Sequence, residues 1–126
     1  MDNREVAKEW FEFAKRDLES AKFLKQMYPV PIEIICYHCE QSAEKYLKGY
    51  LIIKGNKPER THDLSLLNNK CKMLDAEFSD IEDDCIELVP YGVQVRYPYQ
   101  LEVSSEDMEI ALESAKKIEN FIMNKI

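Results

Sequence analysis

Turn-forming residues are scarce in this chain. Its 126 residues include only three glycines and five prolines, whereas a fold built from many short strands needs more of both to form its turns. The chain also lacks an apolar run of transmembrane length, because charged residues interrupt every candidate window. The first residues contain no hydrophobic signal core. We therefore expect a helical, cytoplasmic protein that has no contact with a membrane.

Cysteine and histidine, the usual ligands of zinc, are also few. The cysteines are Cys36, Cys39, Cys71 and Cys85, and without a signal segment they are typical of reduced thiols rather than of a disulfide framework. Cys36 and Cys39 have a spacing that could offer two zinc ligands on one helix. However, both fall on an apolar stripe, where cysteine packs as a small apolar residue, and the chain has no second closely spaced pair. We expect no metal site and no cofactor.

Charge is distributed unevenly along the chain, whose net charge is −7. Residues 73–95 contain seven acids and no lysine or arginine, whereas residues 45–60 contain five basic residues and one acid. The acidic balance argues against a general nucleic-acid coat, and we do not expect DNA as a partner. Two interpretations remain open: two solvated surfaces of opposite sign, or a local phosphate site near the basic segment.

Apolar residues recur at steps of three and four, which predicts helices. We expect five of them, and one all-α domain over residues 1–126. The predicted helices cover residues 4–26, 31–54, 61–74, 78–88 and 104–125. The residues that define their apolar stripes are Val6, Trp10, Phe13, Ala14, Ala21, Leu24; Ile32, Ile35, Cys36, Cys39, Ala43, Tyr46, Leu47, Tyr50; Leu64, Leu67, Cys71, Leu74; Phe78, Ile81, Cys85, Leu88; Met108, Ala111, Leu112, Ala115, Ile118 and Ile122.

Terminal signals support three of these boundaries. Gly55-Asn56 is typical of a helix C-terminus, and Thr61 is a candidate N-cap for the third helix. Ser104, with Asp107 three residues later, resembles a capping box in which Asp replaces the usual Glu or Gln.

Polar residues at helical spacing mark the second helix as the most informative element. Gln41, Glu44, Lys45 and Lys48 repeat among its apolar residues. His62 opens the third helix, where its imidazole either bonds a neighbouring helix or serves as an anion-binding or acid–base residue.

Asp17 interrupts the apolar stripe of the first helix. A buried carboxylate needs a partner, and the candidates are Lys45 and the side chains around Tyr97. We expect a structural ion pair there.

Arg96 lies among tyrosines, in the segment Tyr91–Tyr99. One interpretation is phosphate binding, base stacking or a dimer interface. The other is that Arg96 pairs with an acid while the tyrosines cover the core.

Together these motifs resemble the HEPN domain family (higher eukaryotes and prokaryotes nucleotide-binding), in its small stand-alone prokaryotic branch. The matching stretches are Ala14-Lys-Arg-Asp-Leu18 in helix one, Cys39-Glu-Gln-Ser-Ala-Glu-Lys-Tyr-Leu-Lys48 in helix two, Thr61-His-Asp-Leu64, and Arg96-Tyr-Pro98. The resemblance covers nearly the whole chain. It implies an up-and-down bundle of four main helices plus a short additional helix, commonly as a homodimer.

The resemblance also implies functions. Such proteins are often encoded beside a minimal nucleotidyltransferase, as halves of toxin–antitoxin modules, and many are metal-independent ribonucleases. The ribonuclease signature is an arginine followed, four to six residues later, by a histidine. Here Gln100, Leu101 and Glu102 stand at those positions after Arg96, so the family's ribonuclease motif is absent and we assign no catalytic residue.

Three functions follow from these observations. The leading hypothesis is a nucleotide- and partner-binding domain whose anion site contains Lys45, Lys48, His62, Arg96 and Tyr97, with Asp17, Gln41 and Glu44 in structural roles. The second is a toxin ribonuclease with a variant site centred on Arg96. The third is a non-catalytic dimeric scaffold. The sequence leaves open which nucleotide or RNA is bound, and which partner.

Overall fold

The computed structural model describes residues 2–92 and 102–126. Over these residues the chain forms five α-helices: α1 (Asn3–Leu24), α2 (Ile32–Ile53), α3 (Leu64–Leu74), α4 (Glu82–Leu88) and α5 (Ser105–Met123). Two 3-10 helices, Ala76–Ile81 and Val89–Tyr91, flank α4. No strand occurs in these residues, and none of their helices is long and apolar enough to cross a membrane. The all-α prediction is confirmed.

Helix α2 is the centre of the bundle. It packs extensively against α1 and α5, and also contacts α3, α4 and the second 3-10 helix. Its cysteines Cys36 and Cys39 are fully buried, as the apolar stripe predicts. The core contains most of the predicted stripe residues of α2 to α5 and is completed from α1 by Ala14, Leu18 and Ala21.

Local chemistry sets the ends of the helices. Asp2 caps α1 by accepting a hydrogen bond of 2.9 Å from the Glu5 amide. After α2, Gly55 adopts a φ of 92°, which glycine tolerates without steric cost. Both bonds of the capping box between Ser104 and Asp107 are present at the start of α5, so that prediction is confirmed.

Two predicted boundaries were wrong. Asp63, not Thr61, caps α3, because its carboxylate accepts bonds from the Ser65 and Leu66 amides. Thr61 instead accepts a bond from the Asp63 amide and supports the turn. The predicted fourth helix is divided into a 3-10 helix and α4, because the backbone of Ile81 leaves the helical region there, with a φ of −112° and a ψ of 11°.

Two predicted core residues are half exposed. Phe13 is 51% exposed, because the buried face of α1 runs through Ala7, Ala14 and Leu18 while Phe13 projects about 100° away from Ala14. Leu74 is 50% exposed, since it is the last residue of α3 and the chain turns away there. Both residues therefore belong to the surface.

Candidate functional site

A row of charged side chains lies inside the bundle on α2. Glu40, Glu44 and Lys48 are between 1% and 4% exposed, and their spacing of four residues places them on one face of the helix. Burying a charge is costly unless it is paired and hydrogen-bonded. The contacts of these three residues therefore determine what the face can do.

Glu44 joins a lysine and a histidine. Its Oε2 accepts a hydrogen bond of 3.0 Å from Lys48 Nζ and lies 2.9 Å from His62 Nδ1. The His62 side chain is itself 69% exposed. The contact ties the turn before α3 to α2, which corresponds to the structural interpretation of His62. Lys48 and His62 therefore share one carboxylate oxygen of Glu44.

Glu40 is a site residue that the sequence analysis missed. Burial, together with the nearby Glu44 carboxylate, raises the pKa of Glu40 to about 8. Its Oε1 accepts a hydrogen bond of 2.8 Å from Gln41 Nε2. A Cβ atom on Gly92 would lie 3.0 Å from Glu40 Oε2, so this close approach favours glycine. The sequence signal for Glu40 is its position one turn before Glu44, which places both carboxylates on the same face of α2.

Asp17 of α1 forms a second network with two residues of α2. Its Oδ1 lies 2.9 Å from His38 Nδ1, and its Oδ2 accepts a hydrogen bond from Lys45 Nζ. Burial acts to raise the pKa of Asp17, but hydrogen bonds and charge from His38 and Lys45 outweigh it and hold the pKa below its usual value. The structure thus pairs Asp17 with Lys45, one of the two candidates, and adds His38, which sequence reasoning did not connect to it.

A groove of about 330 Å³ opens beside this network and is lined by Glu9, Trp10, Phe13 and Lys45. We call it the Trp10 groove. The Arg16 guanidinium lies 4.9 Å from the centre of the Phe13 ring, and Lys48 Nζ lies 5.7 Å from a ring centre of Trp10. The groove therefore combines two aromatic side chains with cationic groups, a combination that suits stacking of a base beside a phosphate.

The structure gathers part of the predicted site. Lys45, Lys48 and His62 lie along α2 or against it, divided between the Asp17 network and the Glu44 network. Gln41 lies between these networks and contacts Glu40. Arg96 and Tyr97 fall outside the described residues.

The four cysteines are all buried, with burial the main cause of a pKa raised to about 12 for each thiol. In residues 2–92 and 102–126, no three His, Cys, Asp or Glu side chains converge in an arrangement that could hold a metal ion.

Comparison with known proteins assigns the fold to a family. A model of the HEPN domain matches residues 7–126. The crystal structure of TT1696 from Thermus thermophilus is similar, with a TM-score of 0.77 and 23% identity over 95% of this chain and 98% of that one. ST0689, an archaeal HEPN homologue, gives a TM-score of 0.73 and 26% identity over 94% and 96%. No curated protein matches the sequence. The chain belongs to the HEPN domain family.

Proposed function

We propose that this HEPN domain binds a nucleotide and a protein partner, and that the nucleotide occupies the Trp10 groove. The observation that carries the proposal is the placement of Lys45 in a groove lined by Trp10 and Phe13. Lys45 is the residue shared by the basic segment of the sequence and this aromatic surface. A base would stack on the rings while its phosphate approaches Lys45.

Lys45 retains the capacity to bind a phosphate although it contacts Asp17. An ammonium group has three donors, and one of them is directed to Asp17 Oδ2. The side chain is 24% exposed, so another donor can face the groove. Arg16, stacked on Phe13, adds a second cationic group at the same surface.

The remaining predicted residues have supporting roles in the proposal. Lys48 lies near Trp10 and, through Glu44, is linked to His62, so these residues hold the α2 side of the groove in place. Arg96 and Tyr97 are proposed to add a guanidinium and a stacking ring, on the strength of their sequence pattern alone.

Nucleotide titration tests the proposal. Trp10 is the only tryptophan, so its fluorescence reports on the groove directly, while calorimetry measures affinity for ATP and GTP. Phe13→Ala should weaken binding roughly tenfold by removing a stacking surface, and Lys45→Ala and Arg96→Ala should also weaken it. Phe23→Ala is the matched control, an exposed phenylalanine of α1 outside the groove. The absence of binding at millimolar nucleotide would refute the proposal that this domain binds a nucleotide.

The partner and the setting belong to the same proposal. We propose a homodimer in the cytoplasm, where four unbridged thiols stay reduced, and a nucleotidyltransferase as partner in a toxin–antitoxin module. Sedimentation measures the dimer. Growth arrest on expression, relieved by a neighbouring nucleotidyltransferase, together with RNA cleavage, would instead support the toxin ribonuclease. A homodimer that neither binds nucleotide nor cleaves RNA would support the scaffold.

A further inference from the structure

A second groove lies on the opposite flank of α1, and it has an apolar floor. It encloses about 330 Å³ between α1, the end of α2 and the end of α5, and we call it the α1–α5 groove. Phe11, Tyr46, Ile53 and Met123 contribute to the floor. Phe11 and Tyr46 stack with ring centres 5.9 Å apart.

Three exposed cations follow this groove along α1. Arg4, Lys8 and Lys15 line it, with Glu12 as the only acid among its lining residues. Within residues 2–92 and 102–126, none of the three forms an ion pair, whereas eight other lysines do. A cationic rim over an apolar floor favours an occupant that is both acidic and apolar.

The length of the cationic row selects the kind of occupant. Arg4 and Lys15 are eleven positions apart in the sequence, which is about 16 Å along a helix axis. A single carboxylate or phosphate can contact only part of such a row. An amphipathic helix can place apolar side chains on the floor and acidic side chains along the whole rim.

From this geometry we infer that the α1–α5 groove is a docking site for an acidic amphipathic helix of a different protein. The inference deepens the partner-binding half of the proposed function and rests on it. A second copy of this chain is the weaker fit, because the longer α5 already buries its apolar face in the core, and α4, in the most acidic segment, has only seven residues. At about 10 Å, it is shorter than the cationic row.

A pair of synthetic helices tests the inference with the full chain. Each has about 16 residues and a leucine stripe flanked by glutamates in one peptide and by lysines in the other. Fluorescence anisotropy of the labelled peptides should show binding of the glutamate peptide only, weakening as salt rises. Arg4→Ala, Lys8→Ala and Lys15→Ala should each weaken it about two- to fivefold. The double reversal Lys8→Glu with Lys15→Glu should abolish it.

Matched variants separate this groove from the other one. Arg16→Ala and Lys22→Ala remove cations of the same helix that do not line the α1–α5 groove, and they should leave peptide affinity unchanged. Phe13→Ala should weaken the binding of nucleotide but not the binding of the peptide. If nucleotide binds and the glutamate peptide does not, the docking inference is refuted and the proposed nucleotide binding stands. If the peptide binds and nucleotide does not, only the ligand half of the proposed function fails.

Three further outcomes would overturn the inference. Equal binding of the two peptides would mean that charge does not select the occupant. Self-association of the wild-type chain that the double reversal abolishes would identify a second copy as the occupant. Displacement of the peptide by ATP, without any change in Trp10 fluorescence, would make this groove the nucleotide site.

Discussion

At the scale of single residues, the two buried carboxyl groups of α2 determine how stability should depend on pH. Glu40 and Glu44 are one turn apart, and Lys48 is the buried lysine beside them. Two neighbouring carboxylates resist ionising together in a buried site. Glu40 is the group whose pKa rises, to about 8, so near neutral pH it is mostly protonated.

Replacing Glu40 by glutamine should therefore change how stability depends on pH. The pKa of Glu40 is about 8 in the folded chain and 4.5 as its ordinary value. Between these values the folded state binds more protons than the unfolded state, so the wild-type free energy of unfolding decreases as pH rises. Glu40→Gln removes this decrease. The free energy of unfolding of Glu40→Gln should therefore rise relative to that of wild type as pH increases. The change should be small at pH 5 and reach several kcal/mol at most by pH 9, at about 1.4 kcal/mol for each pKa unit.

Urea denaturation of both proteins across this pH range measures the difference. Gln41→Ala is a suitable control, because it removes the hydrogen-bond partner of Glu40 and leaves the carboxyl group in place. Parallel pH profiles for wild type and Glu40→Gln would contradict the prediction.

The sequence identifies which polar residues matter better than it identifies their partners. It predicts a partner for Asp17, because an apolar stripe surrounds that residue, and Asp17 contacts Lys45. Glu40 could not be found in this way, because a glutamate on a helix is usually solvated. Its burial depends on α2 being covered on several sides, and only the packing of the other helices determines that.

At the scale of elements, the contact between α1 and α2 requires a glycine in the middle of a helix. A Cβ atom on Gly49 would lie 2.5 Å from Phe11 Cε1, well inside van der Waals contact. Without that Cβ, Phe11 packs against α2 and stacks on Tyr46. Gly49 thereby shapes the floor of the α1–α5 groove.

Gly49→Ala sets two effects against each other. Alanine favours a helix interior over glycine by up to about 1 kcal/mol, whereas forcing an extra methyl group against a packed ring costs about 1–3 kcal/mol. We expect a net loss of about 1 kcal/mol in the free energy of unfolding, measured by urea denaturation. In a Phe11→Ala background the clash is absent, so the same substitution should stabilise. Destabilisation of equal size in both backgrounds would show that Phe11 is not the cause.

Element boundaries were predictable where a long periodic pattern or a complete cap was present. The start of α5 has a capping box formed by adjacent residues, so local sequence determines it. The start of α3 was misplaced because Thr61 and Asp63 are both capable caps, and the choice between them depends on the path of the turn. The break before α4 has no such signal, because it falls at Ile81, an apolar residue without a side-chain cap that continues the apolar pattern.

At the scale of the whole molecule, α2 connects the other helices. Helix α1 packs mainly against α2 and only slightly against α5, so its attachment depends on one long interface. Hydrogen bonds such as that from Ser42 Oγ to the Ala14 carbonyl, at 2.8 Å, reinforce this interface. We propose that residues 1–126 fold as one domain through this central helix.

Two probes of unfolding test the single domain. Trp10 fluorescence reports on α1, whereas far-ultraviolet circular dichroism reports on all the helices together. In one cooperative unit the two midpoints in urea should coincide. A Trp10 transition at clearly lower urea would mean that α1 detaches separately, and it would contradict the proposal.

The buried cysteines provide a record of local opening without any substitution. Cys36 and Cys39 lie on α2, Cys71 on α3 and Cys85 on α4, and none is more than 1% exposed. With each pKa near 12, a thiol reagent near neutral pH modifies these residues only after their surroundings open. The order in which peptides gain the label, followed by mass spectrometry, therefore ranks three helices of the native protein by how often each one leaves the core.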